Sequence, residues 1–231
     1  METILSFEEF KAKIISEKLS ILNDDFGKIY TFIDFGNVNF WFEDDNKDTE
    51  GNALAENMKL NIDLKKLADF CRLFSDKTRF YYGLNPENKS SLGFISFARQ
   101  YFGKYYVFSK PLQKIKHYLS GEEAEIMKDF IAMSNDYKGN YLPLSKCNFD
   151  VEISVDAIRL CDDYDTFCLF SSDADFIALF EYLKKQRKKK IILVKSGFAQ
   201  YQLIKIADKV INAQDIKQHI VSIKQKSSQK G

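Results

Sequence analysis

Short apolar segments rich in β-branched and aromatic residues alternate along this chain with segments of helical periodicity. The β-rich segments are residues 28–33, 79–83, 105–109, 165–170, 190–194 and 209–211. Apolar residues recur three or four positions apart over residues 63–75, 91–102, 150–161, 176–186 and 201–207, and a closing helix is predicted from Gln214. This alternation is typical of a parallel sheet with helical crossovers. We therefore predict an α/β fold around a mainly parallel central sheet.

Two of the predicted strands end directly in acidic residues. Segment 28–33 leads into Asp34-Phe35-Gly36-Asn37, and segment 165–170 leads into Ser171-Ser172-Asp173-Ala174-Asp175. Parallel strands present their carboxyl ends at one edge of the sheet, which is where ligands bind in such folds. Each motif alone has a structural alternative, since the first is rich in turn formers and one acid of the second can cap the next helix. Capping does not explain both acids.

Two further acids, Asp150 and Asp156, lie early in the helix predicted over residues 150–161. Carboxylates that converge repel one another, and a divalent cation is a common remedy. We predict that Mg²⁺ or Mn²⁺ binds to a cluster of five acids: Asp34, Asp150, Asp156, Asp173 and Asp175. Within this cluster Asp34, Asp156 and Asp173 are the predicted catalytic ligands, and the other two hold a second ion or its waters. Whether one or two ions bind stays open.

Four residues near these acids are predicted to contact the substrate or to orient a ligand: Asn37, Trp41, Lys146 and Ser171. Trp41 follows the first acidic motif and is suited to stacking on bases, although it could equally anchor its loop. Lys146 precedes the acidic helix and could bind a phosphate, balance the acids, or be an ordinary surface lysine. The serine opens the second acidic motif.

The composition limits the classes of function that remain. The 231 residues include 34 lysines and arginines against 33 acids, so any contact with a polyanion must come from local patches. The four cysteines form no C-x-x-C pair, which favours reduced thiols over a zinc site or a disulfide framework. Two histidines leave carboxylates as the better catalytic candidates. We found no signal peptide and no membrane-spanning apolar run, so we expect a cytoplasmic protein without a membrane partner.

The domain organisation is predicted as three parts. Residues 1–27 form an N-terminal helical extension, with an amphipathic helix over 6–22. Residues 28–216 form the main domain, which contains an exposed loop over 43–57 and an insertion over 112–149 with one helix over 122–133. The insertion is either a lid or substrate rim, or an inert elaboration. Residues 217–231 form the end of the last helix and a basic flexible tail.

Taken in order, the motifs resemble a known family. They are Ile33-Asp34-Phe35-Gly36-Asn37, Lys146 leading into Asp150 and Asp156, Ser171-Ser172-Asp173-Ala174-Asp175-Phe176, and Ala207-Asp208. Over about residues 28–216 the chain resembles the NYN domain, in the LabA-like branch of the PIN-like nuclease superfamily. The resemblance implies a three-layer α/β/α sandwich, a divalent-metal site and, usually, RNA cleavage. By position Asp34 and Asn37 match the first motif, Asp150 and Asp156 the helix acids, and Asp173 and Asp175 the S-x-D-x-D-F motif.

We therefore expect a metal-dependent endoribonuclease whose partner is RNA, with single-stranded RNA as one option. Whether the protein forms a homodimer stays open. One alternative is a catalytically silent module that binds RNA or regulates. Another is a phosphatase with an aspartyl nucleophile. The phosphatase is less favoured, because its D-x-D motif should follow the first strand, where this chain has Asp34-Phe35-Gly36.

Overall fold

The structure is a computed structural model and describes residues 6–21, 23–128 and 133–226. The strands in these ranges are β1 (Ile29–Asp34), β2 (Met58–Ile62), β3 (Lys77–Leu84), β4 (Val107–Pro111), β5 (Gln113–Tyr118), β6 (Ser134–Asp136), β7 (Gly139–Lys146), β8 (Thr166–Phe170), β9 (Lys190–Lys195), β10 (Lys209–Asn212) and β11 (Val221–Gln225). The helices are α1 (Phe7–Lys13), α2 (Asn23–Phe26), α3 (Phe35–Val38), α4 (Leu64–Arg72), α5 (Lys89–Phe102), α6 (Gly121–Met127), α7 (Asp150–Arg159), α8 (Ile177–Arg187), α9 (Tyr201–Ile206) and α10 (Ala213–Ile220).

Six parallel strands form the central sheet in the order β10-β9-β8-β1-β3-β4. The chain builds the sheet outward from β1, first through β3 and β4 and then on the other side through β8, β9 and β10. In open α/β sheets the crevice for ligands lies where the strand order reverses. Asp34, the last residue of β1, therefore lies at this switch point.

Side chains of the central strands alternate between two apolar cores because successive residues of a strand point to opposite faces. Ile33 and Phe170 lie in the core that includes Leu67 of α4, and α5 and α10 contribute to the same core. Phe32 and Leu169 lie in the other core, which is covered by α7, α8 and α9. All six residues of β1 are buried. The predicted three-layer α/β/α sandwich is confirmed.

Two small antiparallel sheets accompany the central one, and the sequence reasoning missed both. The insertion folds into the sheet β5-β7-β6 and contains the helix α6, which ends at Met127. The helix predicted in this segment runs to residue 133, and residues 129–132 of that prediction lie outside the described ranges. β11 pairs with β2, so residues 221–225 form a strand where the end of the last helix and the start of a flexible tail are predicted. Both sheets have exposed strands, which lack the apolar runs that identify buried ones.

The N-terminal helix is shorter than predicted. α1 ends at Lys13, and a wider π-helical segment follows over Ile14–Leu19. Ser20, in a left-handed conformation, ends that segment. Ser6 caps α1 in a capping box with Glu9. Residue 22, the predicted end, lies outside the described ranges. Within those ranges, no helix combines the length and the apolar character that crossing a bilayer requires.

Candidate metal centre

A pocket of about 460 Å³ opens at the carboxyl edge of the central sheet, beside the end of β1. Its walls come from four parts of the chain: the β1–α3 turn, the end of β3, both ends of the insertion, and the segment after β8. The acidic residues that line it are Asp34, Asp150, Asp173 and Asp175. Four of the five predicted acids are thus gathered in one cavity.

Three of these acids are close enough to share one ion. Asp150, Asp173 and Asp175 each offer a carboxylate oxygen, and the three oxygens lie within 4.8 Å of one another. Asp150 opens α7, where the Asn148 side chain accepts a hydrogen bond from its backbone N–H at 2.7 Å. Burial raises the pKa of the Asp150 carboxyl, and the charges of Asp173 and Asp175 raise it further. This repulsion is what a bound cation would relieve.

Asp173 has a structural role as well as its place in the cluster. Its Oδ1 accepts a hydrogen bond from the backbone N–H of Asp175 at 3.0 Å, which caps the short helical turn before α8. Its own N–H donates to the Ser171 hydroxyl oxygen at 3.2 Å. The capping alternative therefore applies to Asp173, and the same geometry directs both carboxylates towards Asp150.

Asp34 lies deeper in the pocket, with only 8% of its surface exposed. Ser171, itself fully buried, donates a hydrogen bond from its hydroxyl to Asp34 Oδ2 at 3.2 Å. Desolvation by burial, followed by the charge of Asp150, raises the pKa of Asp34 to about 6. Ser171 is predicted to contact substrate, but its buried position makes it a residue that positions Asp34.

We expect this raised pKa to appear in the pH dependence of stability. The folded protein holds the Asp34 proton up to about pH 6, whereas the unfolded chain releases it near the ordinary value of 3.8. Stability contributed by the protonated form is therefore lost as the pH rises from about 4 to about 6. In urea unfolding with EDTA, the free energy of unfolding of Asp34→Asn should rise by roughly 2–3 kcal/mol relative to that of the parent protein as the pH increases across that range. A difference in unfolding free energy between Asp34→Asn and the parent that does not change with pH would contradict this prediction. Asp44→Asn, the same change at an exposed acid, serves as the control.

The structure does not bring Asp156 into this pocket. Arg79 donates to Asp156 Oδ2 at 2.5 Å, Tyr81 donates to the same oxygen at 2.7 Å, and Arg159 donates to Oδ1 at 2.6 Å. Asp156 is buried on the face of α7 that packs on the sheet, next to Ala157. Both of its oxygens are thus occupied by cations, so its predicted role as a catalytic metal ligand is corrected to that of a buried anchor between α7 and β3.

The sequence leaves two roles open for Trp41, stacking on bases or anchoring its loop, and its surroundings fit the second. Only 9% of its surface is exposed, and its ring stacks on Phe170 with the centroids 6.0 Å apart. Its indole N–H donates to Asn37 Oδ1 at 2.9 Å, and the same oxygen accepts the backbone N–H of Ser172 at 3.1 Å. Trp41 therefore anchors the loop, while Asn37 ties the first acidic motif to the second from the pocket wall. The neighbouring Phe40 is 60% exposed and lines the pocket.

The base of the insertion forms one wall of the pocket, a position that fits the substrate rim offered as one of its two predicted roles. Lys146, one of the predicted substrate-binding residues, is exposed at the end of β7 and lines this wall. Gly83 allows the insertion to approach, because a Cβ there would lie 2.5 Å from Cys147 Cβ and 2.6 Å from Leu112 Cδ2. A glycine near the end of a strand is the kind of sequence signal that accompanies such a close approach.

Comparison with known proteins identifies the family to which this fold and pocket belong. The model of the NYN domain matches residues 28–217. The chain belongs to the NYN domain family. The resemblance inferred from the acidic motifs is therefore confirmed, and PIN-like nucleases are the superfamily of this NYN domain.

A curated relative supports the LabA-like branch for this NYN domain. The chain is 29% identical over 96 residues to "Low amplitude and bright protein LabA" of Synechococcus elongatus, a match that covers 42% of this chain and 50% of the relative. The chain thus spans half the length of that relative. A solved structure, a protein of unknown function (VPA0982) from Vibrio parahaemolyticus, superposes with a TM-score of 0.53 at 20% identity, covering 87% of this chain and 100% of that one. This likeness shows the shared fold.

Proposed function

We propose that this NYN domain is a divalent-metal-dependent endoribonuclease that hydrolyses phosphodiester bonds of RNA. The observation that carries the proposal is the convergence of Asp150, Asp173 and Asp175 within 4.8 Å, beside a buried Asp34. The family supports it, since NYN domains belong to a nuclease superfamily. The pocket lies at the sheet edge where α/β enzymes place their chemistry.

Mg²⁺ or Mn²⁺ suits this set of ligands, because both ions prefer carboxylate oxygens and water. Asp150, Asp173 and Asp175 would hold the ion, with Asp34 next to them. When bound in such a site, the ion makes a water molecule more acidic and stabilises negative charge on the leaving oxygen. Burial raises the pKa of Asp34 and of Asp150, and neighbouring carboxylates raise both pKa values further, so a bound cation would stabilise the ionised acids.

Side chains around the acids have separate tasks in the proposed reaction. Asp34, held by the Ser171 hydroxyl, lies beside the three acids that would hold the ion and would accept a proton from the attacking water. Lys146 is placed to attract a phosphate of the substrate. Phe40, exposed at the rim, offers a ring on which an unpaired base can stack. Asn37 fixes the relative position of the two acidic motifs through Ser172.

A cleavage assay with labelled RNA of mixed sequence tests the proposal. We expect the purified protein to cut the RNA internally in Mn²⁺ or Mg²⁺ and to leave it intact in EDTA. A parallel preparation of Asp34→Asn controls for contaminating ribonuclease, because a contaminant would survive the substitution. Binding without cleavage would support a silent RNA-binding module instead. Hydrolysis of a small phosphate ester alone would support a phosphatase.

A further inference from the structure

The insertion sheet, β5-β7-β6, has one face that continues the wall of the pocket. In an antiparallel pair, residues directly opposite one another lie on the same face. Lys114 is opposite Ser145, which lines the pocket, and the next pairs outward on that face are Lys116 with Pro143 and Tyr118 with Tyr141. We call this the lysine–tyrosine face. From Ser145 at the pocket to the Tyr118–Tyr141 pair it extends roughly 14 Å, at about 3.4 Å per strand residue.

Lysine ammonium groups lie beside aromatic rings on the lysine–tyrosine face. The Lys116 ammonium lies 4.6 Å from the centroid of the Tyr141 ring, and that of Lys138 lies 6.0 Å from the centroid of Tyr118. Asp136 accepts hydrogen bonds from Lys116 at 2.5 Å and from the Tyr118 hydroxyl at 3.0 Å. Three lysines thus accompany one carboxylate, and the face has a net positive charge.

The opposite face of the insertion sheet has a different character. It begins at the pocket with Gln113 opposite Lys146 and continues with Ile115 opposite Leu144 and His117 opposite Leu142. The lysine–tyrosine face therefore has more lysines than this one, to which Lys146 belongs.

We propose that the lysine–tyrosine face binds the single-stranded stretch of RNA that leads out of the pocket. The inference rests on the proposed function, and it assigns to the insertion the task of holding RNA beyond the cleaved bond. Lysines complement the phosphates, and tyrosine rings stack on bases, which are available only in a single strand. Continuity from Ser145 to Lys114 places this surface next to the acids.

Fluorescence anisotropy with a labelled 12-nucleotide single-stranded RNA tests the inference, with Ca²⁺ in place of Mn²⁺ and the probe checked for integrity. We expect Lys114→Ser/Lys138→Ser to weaken binding about tenfold, and to make the slope of log affinity against log salt shallower by about 1.4. Tyr118→Ala should weaken binding about fivefold with the slope unchanged. In cleavage assays with Mn²⁺ these variants should raise KM and leave kcat unchanged.

Two matched controls separate this surface from its surroundings. Ile115→Ser changes the same strand on its other face, and Lys224→Ser removes an exposed lysine from the other small sheet. Both variants should bind the RNA with the affinity of the parent. All the variants should keep the melting temperature of the parent. Equal affinity in parent and lysine variants would overturn the inference while cleavage by the parent upholds the nuclease. A lysine-dependent affinity without any cleavage would uphold the RNA surface and overturn the nuclease.

Discussion

Asp173→Asn is expected to lower metal-dependent RNA cleavage by about a hundredfold or more while leaving the fold intact. A catalytic ion supplies several kcal/mol of transition-state stabilisation, and each 1.36 kcal/mol corresponds to a factor of ten in rate. The asparagine keeps the Oδ1 atom that caps the turn at Asp175, so the local structure should persist. Removing one of three crowded charges should leave thermal stability in EDTA equal or slightly raised.

Metal-dependent stabilisation provides the second readout for this variant. An ion at 100 times its dissociation constant stabilises a protein by about 2.7 kcal/mol, and this increment should shrink in Asp173→Asn. Asp44→Asn, the same change at an exposed acid outside the pocket, should behave like the parent in both measurements. Full cleavage by Asp173→Asn would remove Asp173 from the mechanism. Inactivity caused by unfolding would leave it only a capping role.

The opposite pattern is expected for Asp156→Asn, which should lower the free energy of unfolding by about 3 kcal/mol. The Asp156 carboxylate forms a buried ion pair with Arg79, and removing one partner of such a pair leaves the other charge buried without compensation. For a domain of this size the loss corresponds to a decrease of roughly 6–12 °C in Tm. Urea unfolding and thermal melting measure both quantities.

An exposed ion pair supplies the control for this second substitution. Asp162 pairs with Arg187 near the end of α8 and is largely exposed, so Asp162→Asn should cost less than about 1 kcal/mol. Below its lowered melting temperature, folded Asp156→Asn should bind Mn²⁺ as the parent does. Weakened metal binding with unchanged stability would return Asp156 to the metal site and contradict its role as an anchor.

The sequence predicts much of the fold because buried parallel strands carry a strong local signal. The run Thr166–Phe170 is apolar, rich in β-forming residues and followed at once by polar ones, and the structure places its strand there. Asp34 and Asp173 follow such runs, so their position at one edge of the sheet is a consequence of the topology. At these two residues the local sequence pattern is therefore sufficient to predict the position in the fold.

Other parts of the site depend on contacts that no local pattern contains. Asp156 is about 1.7 helical turns beyond Asp150. Its hydrogen bonds with Arg79 and Tyr81, 77 and 75 residues away, hold it against β3 instead of in the pocket. Trp41 and Phe40 are adjacent aromatic residues, and their opposite exposure follows from the loop that Asn37 holds. The strands of the insertion are exposed and so lack the apolar run of a buried strand.

The place of β1 in the middle of the sheet determines when the pocket is completed during translation. A nascent chain can pair β1 with β3 early, but the other edge of β1 waits for β8. Asp34 and its partner Ser171 are 137 residues apart, which corresponds to roughly 7–27 s of synthesis at about 5–20 residues per second. The carboxylates therefore come together only after the segment through Asp175 has left the ribosome. A chain truncated before β8 therefore lacks Asp173 and Asp175 and cannot assemble the acidic pocket.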